Sequence, residues 1–161
     1  MLRKLLGRCI EYLLSYEHEV TVVDDAPDRD WAGCRLPYHK YAGDAGYDLF
    51  AAKDVPIAAG QTAEVPAGLR MDPLDRIWFE VKARSSTMKV RGLEVVDAVI
   101  DRDYRGDLMA VVHNPTAFLV TVKAGDRVVQ IVPHRLVPCR FVPGKLRQSP
   151  RGQNGFGSTG A

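Results

Sequence analysis

The chain has 161 residues, 46% hydrophobic and 26% charged, with a formal net charge of +2. That is enough chain for one domain with a sizeable core, and a charge this small and mixed excludes a strongly basic nucleic-acid binder. No apolar run approaches the ~20 residues a helical membrane span needs, and the three scattered cysteines (Cys9, Cys34, Cys139) favour reduced thiols in a cytoplasmic protein over a disulfide framework or zinc site.

Leu2, Leu5, Leu6, Cys9, Ile10, Leu13 and Leu14 recur at helical spacing, with Arg3, Lys4, Arg8 and Glu11 elsewhere on the wheel. This predicts a short amphipathic helix within residues 1–18 that packs on its own protein rather than on a membrane. After residue 19 the period changes. Val- and Ile-rich segments succeed one another at 20–23, 45–52, 61–66, 76–83, 93–100, 106–114, 117–124 and 127–137, each punctuated by Gly, Pro or Asp. In "RIWFEVKA", Ile77, Phe79, Val81 and Ala83 alternate with Trp78, Glu80 and Lys82, as in a half-buried strand. Many short strands with frequent turns predict an all-β sandwich or barrel of jelly-roll type. Residues 143–161 lose the alternation and read as an extended arm, ending in the glycine-rich "RGQNGFGSTG". The expected organisation is one domain over 1–161: a helical extension (1–18), a β core (19–142) and the arm (143–161).

Four stretches of the core put polar residues at or beside strand ends. In "AGDAGYDLFAA", Asp48 is either an Asx-turn residue or a ligand-facing carboxylate. In "ARSSTMKVRG", Arg84, Ser85 and Ser86 precede a segment that could begin a short helix at Thr87. They offer hydroxyls, amides and a guanidinium to an anion, or simply a serine N-cap. In "VIDRDYRGD", alternation puts Asp101 and Asp103 on one face of an extended chain and Tyr104 on the other. A hairpin turn accounts for that composition, and so does a loop that activates water and contacts a sugar. Gln130, the one uncharged polar residue inside the apolar "RVVQIV", needs a hydrogen-bond partner if buried, from the protein or from a ligand. His18, His39, His113 and His134 form no metal-binding spacing, and "GFGSTG" is not a phosphate loop of the Walker kind, because the lysine and the following helix are missing.

Five segments in order, "AGYDL" (45–49), "ARSST" (83–87), "VIDRDYRGDL" (99–108), "GDRVVQI" (125–131) and "RGQNGFGSTG" (151–160), resemble the motifs of the homotrimeric dUTP pyrophosphatases, the dUTPases. The resemblance runs from about Leu36 to the C-terminus. It implies a distorted jelly-roll fold and hydrolysis of dUTP to dUMP and pyrophosphate, the reaction that keeps uracil out of DNA. Asp101 would orient and deprotonate the attacking water and contact the sugar 3′-hydroxyl, and carboxylates are ordinarily ionised at pH 7. Tyr104 would pack beneath the deoxyribose, leaving no room for a 2′-hydroxyl. Main-chain groups around Val99 and Ile100, in the 96–101 hairpin, would read the uracil edge. Arg84, Ser85 and Ser86 would hold the phosphates with Gln130. Asp48 would contact waters around a Mg2+ ion held mainly by the triphosphate. The arm would close as a lid, with Phe156 over the uracil, Arg151 on the γ-phosphate, and Gly157, Ser158 and Thr159 on the phosphates. The resemblance also implies a homotrimer with shared sites, and neither stable nucleic-acid binding nor a membrane.

Ala98 stands where the family pattern has glycine, Ser86 replaces a common glycine and Ala83 a proline. "RSS" also occurs in the related dCTP deaminases, but their glutamate on the strand after the "ID" loop aligns with Val111. The alternatives are therefore a deaminase relative, which is the weaker, and a dUTP-gated binding protein that signals to a regulatory partner.

Overall fold

The computed structural model describes residues 20–24, 35–150 and Gly152. The helix expected within 1–18, and Arg151, Phe156, Gly157, Ser158 and Thr159 of the arm, lie outside the described residues. Among the described residues there are eleven strands and one short helix: β1 (Val20–Asp24), β2 (Tyr47–Phe50), β3 (Val55–Ile57), β4 (Thr62–Pro66), β5 (Leu69–Pro73), β6 (Ile77–Ala83), α1 (Ser85–Arg91), β7 (Glu94–Val95), β8 (Ala98–Ile100), β9 (Met109–His113), β10 (Val120–Val122) and β11 (Arg127–Arg135). The all-β expectation holds. No described helix is long and apolar enough to cross a membrane.

Every strand pairing is antiparallel. The strands form a four-stranded sheet β2-β11-β6-β8, a three-stranded sheet β4-β9-β7, and the ribbons β1-β5 and β3-β10. Their inward faces share one apolar cluster, in which Ile57, Leu69, Leu93, Val112, Val122 and Ile131 are at most 1% exposed. The alternation read in β6 is realised as far as Val81: Ile77, Phe79 and Val81 are buried, while Trp78, Glu80 and Lys82 are only half-buried; Ala83, expected on the inward face, is exposed where the strand ends before α1.

Two strands escape the sequence pattern. β3 is three residues long with Pro56 at its centre. β5 hides its alternation of Leu69, Met71 and Pro73 behind Arg70 and Asp72. The segment 93–100, expected as one strand, breaks at Val96–Asp97 because the chain changes sheets: β7 pairs with β9, and β8 with β6. β7 and β8 therefore form no hairpin with each other.

β11 departs from strict alternation in a way that builds the site. Val128 and Val129 are both buried, and the register against β2 shifts between Arg127 and Val129. A bulge of this kind lets consecutive residues face the core and re-aims the side chains beyond it. Gln130 consequently lies between Asp48 of β2 and Lys82 of β6 on the outer face.

One buried polar residue ties the β3–β4 and β9–β10 connections together. Asn114 is fully buried; its Nδ2 donates to the carbonyls of Ile57 (2.9 Å), Ala58 (3.2 Å) and Phe118 (2.8 Å), and its Oδ1 accepts from Thr116 N (3.1 Å) and Oγ1 (2.7 Å). Asn114→Ala strands those buried groups and is expected to cost about 2–3 kcal/mol, read as a lower urea midpoint at unchanged m-value.

Candidate active site

Three of the sequence motifs meet at one end of the four-stranded sheet. Arg84, the residue between β6 and α1, donates from Nε to Asp48 Oδ1 at 2.5 Å and from Nη1 to Ser86 Oγ (3.0 Å) and the Arg127 carbonyl (3.1 Å). Arg127 Nη1 reaches the other Asp48 oxygen at 3.2 Å. Asp48 is thus held by two guanidiniums and fixed in the backbone by paired bonds with Tyr38 (2.7 and 3.1 Å). This is an ion-pair lattice, not an Asx turn. Two arginines against one carboxylate leave a positive charge in excess, which suits a polyanion.

Arg84 is also the N-cap of α1, in extended conformation (φ −81°, ψ 147°) with no side-chain cap bond. The serine N-cap reading therefore fails: Ser85 and Ser86 occupy the first turn, and their hydroxyls do not cap it. Seven residues make a marginal helix on their own. Thr87, buried beneath it, fastens it to β11 by donating from Oγ1 to the Val128 carbonyl at 2.5 Å. Gln130 donates from Nε2 to the Ala83 carbonyl at 3.1 Å, and its Oε1 lies so close to Gly46 that a methyl there would collide with it. The glycine of "AGYDL" is thus a seat for the glutamine of "GDRVVQI". Sequence reasoning passed over Arg127; the signal was the arginine of "GDR", inside a segment already singled out.

The "VIDRDYRGD" segment forms a separate station. Among the described residues β8 is an edge strand, paired only with β6, and Val99 is 61% exposed. Its outer edge is open for main-chain hydrogen bonds. Beyond Ile100 the expected extended alternation gives way to a turn: Tyr104 N–H donates to the Asp101 carbonyl at 3.0 Å, with Arg102 and Asp103 between them ion-paired at 2.9 Å. Asp101 and Asp103 therefore do not line one strand face, and the turn is no hairpin, since it carries the chain from the β8 sheet to the β9 sheet. Asp101 is exposed, and among the described residues its carboxylate has no hydrogen-bond partner. Tyr104 donates its hydroxyl to the Asp107 carbonyl at 3.1 Å and rests against Gly106, where a Cβ would overlap the phenol. Nearby, the hydrogen bonds that the Lys82 ammonium donates, first to Asp97 and then to Glu80, raise its pKa above the ordinary value.

The two stations stand apart within one chain. Ile100 lies opposite Phe79, so Asp101 emerges beside Trp78, whereas Arg84–Ser86 follow the far end of β6. At ~3.3 Å per residue that is roughly 20 Å along the strand.

No group of three or more His, Cys, Asp or Glu among the described residues could hold a metal by itself. Mg2+ carried by a triphosphate needs fewer protein ligands than that. Asp48 has lone pairs left after its two arginine contacts, and its side chain is 16% exposed, so it can accept from waters of such an ion.

A sequence model of the dUTPase family matches residues 33–160. The chain is 34% identical over 125 residues to the deoxyuridine 5'-triphosphate nucleotidohydrolase of Paramecium bursaria Chlorella virus 1, covering 77% of this chain and 89% of that protein. To the enzyme of that name from Thermobifida fusca it is 37% identical over 129 residues, covering 78% and 72% respectively. In fold it is similar to the dUTPase of Staphylococcus bacteriophage 80alpha solved with dUpNHpp, with a TM-score of 0.78 at 20% identity over 90% of this chain and all of that one. A structure of a variant dUTPase from phage phi11 of S. aureus, described as showing how a structural Mg(II) ion is coordinated, superposes with a TM-score of 0.70 at 16% identity over 81% of this chain and 99% of that one. With its motifs in order, its jelly-roll sheets and this extent of match, the chain belongs to the dUTPase family.

Proposed function

We propose that the protein hydrolyses dUTP to dUMP and pyrophosphate, by attack of an Asp101-activated water on the α-phosphorus. The observation that carries this reading is the convergence of Asp48, Arg84, Ser86, Arg127 and Gln130, remote in sequence, into one cation-rich cluster in a chain of this family. Arg84, Ser85, Ser86 and Gln130 bind the phosphates. The open edge of β8 at Val99 and Ile100 reads the uracil, and Tyr104, braced on Gly106, fills the space a 2′-hydroxyl would need. Asp101 accepts the proton of the attacking water. Its carboxylate has no partner among the described residues, which leaves it available for that water and for the sugar 3′-hydroxyl. Phe156, Arg151, Gly157, Ser158 and Thr159 of the arm cover the base and the phosphates. Mg2+, bound to the triphosphate with Asp48 contacting its waters, neutralises phosphate charge when present.

The site is shared between copies. A general base must lie within hydrogen-bond reach of the proton it takes, and ~20 Å along β6 separates Asp101 from the same chain's phosphate cluster. A second copy must therefore present its loop to this cluster, and a homotrimer closes three such sites. Residues 136–150 are exposed throughout, with Phe141 and Leu146 at 95% and 99%, as expected of an arm that finds its cover on a neighbour.

The test is pyrophosphate release with Mg2+ from dUTP, dCTP, dTTP and UTP, with mass by sedimentation equilibrium. Turnover of dUTP alone by a three-chain assembly is the expected result, and it would show that Ala98 leaves base reading intact. Tight binding of dUTP without turnover would move the protein to the dUTP-gated regulatory reading, and turnover by a monomer would overturn the shared site.

A further inference from the structure

The Asp101–Leu108 loop crosses between sheets, with backbone bonds at its two ends: Tyr104 N–H to the Asp101 carbonyl (3.0 Å), and Leu108 with Leu69 and Ala67 (2.8 Å each). Between them Arg105 braces the loop, its Nη1 donating to the carbonyls of Arg102 (2.8 Å) and Tyr104 (3.0 Å). The other amino group of the same guanidinium, Nη2, is ion-paired with Asp72 of β5. Two residues along on each side, Arg70 Nε meets Asp107 Oδ1 at 2.7 Å. Arg70 and Asp72 stand on the outer face of β5, opposite the buried Leu69 and Met71.

The charges are crossed. β5 presents plus at 70 and minus at 72, the loop presents plus at 105 and minus at 107, and each meets its opposite. Sliding the loop by two residues would bring like charges together. The pairs thus specify one seating of the loop, and they grip the two residues that flank Gly106, the seat of the Tyr104 ring.

We propose that Asp72 and Arg70 are positioning residues for the nucleoside loop, acting through Arg105 and Asp107 to place Tyr104 beneath the sugar and Asp101 beside the attacking water. This rests on the reading that the loop receives the nucleoside. All four side chains are 47–48% exposed, and ion pairs that accessible contribute little to global stability. Geometry at a reacting centre is far less forgiving: a displacement of about 1 Å can cost roughly 10²-fold in rate. The pairs therefore matter for catalysis and sugar choice much more than for folding.

The experiment compares Asp72→Ala, Asp72→Glu, Arg105→Ala and the Asp72→Ala/Arg105→Ala double variant with the wild-type chain. It measures the thermal midpoint, amide hydrogen exchange over 101–108, and kcat and KM for dUTP and UTP. Asp72→Ala is expected to keep the midpoint within about 2 °C, as for an exposed pair. It should raise exchange in the 101–108 segment alone and lower kcat for dUTP about tenfold with KM changed less. It should also raise the UTP-to-dUTP ratio of kcat/KM severalfold. Asp72→Glu should recover part of each, and Asp72→Ala should add nothing in the Arg105→Ala background. Unchanged exchange overturns the clamp whatever the substrate. Raised exchange with unaltered kcat and sugar ratio overturns the positioning role. A wild-type chain inert toward dUTP overturns the nucleoside reading and the positioning role with it, while the exchange data still report whether the clamp exists.

Discussion

Asp101→Asn lowers kcat for dUTP on the order of 10³-fold while leaving the fold and most of the substrate affinity in place. The substitution keeps size and hydrogen-bonding capacity but removes the group able to accept a proton. General-base catalysis contributes typically 10²–10⁴-fold, so the expected loss sits inside that range, about 4 kcal/mol of barrier. The carboxylate is exposed and has no hydrogen-bond partner among the described residues, so its replacement removes no native interaction there. The turn itself is set by the Tyr104 N–H to Asp101 carbonyl bond, which asparagine retains. KM should rise only severalfold, because the amide can still meet the sugar hydroxyl. Steady-state pyrophosphate release and a melting curve on the same samples check both halves. A kcat within threefold of wild type at unchanged Tm would remove Asp101 from the role of base. A collapse in Tm would mean the loop depends on this carboxylate in a way its exposure does not suggest.

The difference between legible and illegible features of the sequence comes from where each structural cause lies. β6 was legible because its period is local: three inward apolar residues alternate with polar ones. β5 was not, because Arg70 and Asp72 make the stretch look like a turn until β1 covers its edge and the loop supplies counter-charges. The break of 93–100 into two strands is a sheet-switching event, and periodicity carries no information about which neighbour a strand takes. Among the site residues, Asp48, Arg84 and Gln130 stood out one at a time in the residues themselves, and only the family resemblance joined them in one phosphate site. Their contact depends on the β11 bulge, a register property that "DRVVQIV" shows only as two adjacent valines. Arg127 escaped notice for the same reason: its function is defined by a carboxylate 79 residues away. The turn at Asp101–Tyr104 replaced the expected alternation because the chain must leave one sheet and enter another within a few residues.

Arg84→Ala is expected to damage both stability and turnover, and Arg84→Lys to restore much of the first and little of the second. Arg84 is 19% exposed and Asp48 16%, so the pair is largely shielded from solvent and screened less by salt than a surface pair. Removing the guanidinium leaves Asp48 with Arg127 alone, at the longer distance of 3.2 Å, and strips Ser86 and the Arg127 carbonyl of a donor. Breaking one partner of a fully buried pair costs roughly 3–5 kcal/mol. Because Arg127 still serves the second oxygen, about 2–3 kcal/mol is the appropriate expectation, read from chemical denaturation. Activity should fall further than this implies for binding alone, on the order of 10²-fold or more in kcat/KM, since a cation facing the phosphates and the alignment of Ser86 are lost together. Lysine supplies the charge but a single ammonium, which cannot address a carboxylate, a hydroxyl and a carbonyl in the fixed directions of the guanidinium fork. It should therefore re-pair Asp48 and recover more than half of the lost stability, while kcat/KM stays at least tenfold below wild type. Full recovery of turnover by lysine would mean that the cluster contributes net charge and nothing more. Lysine no better than alanine in either measure would mean that the fork is what Asp48 requires, and that the Arg84–Asp48 pair is a structural strut before it is a phosphate site.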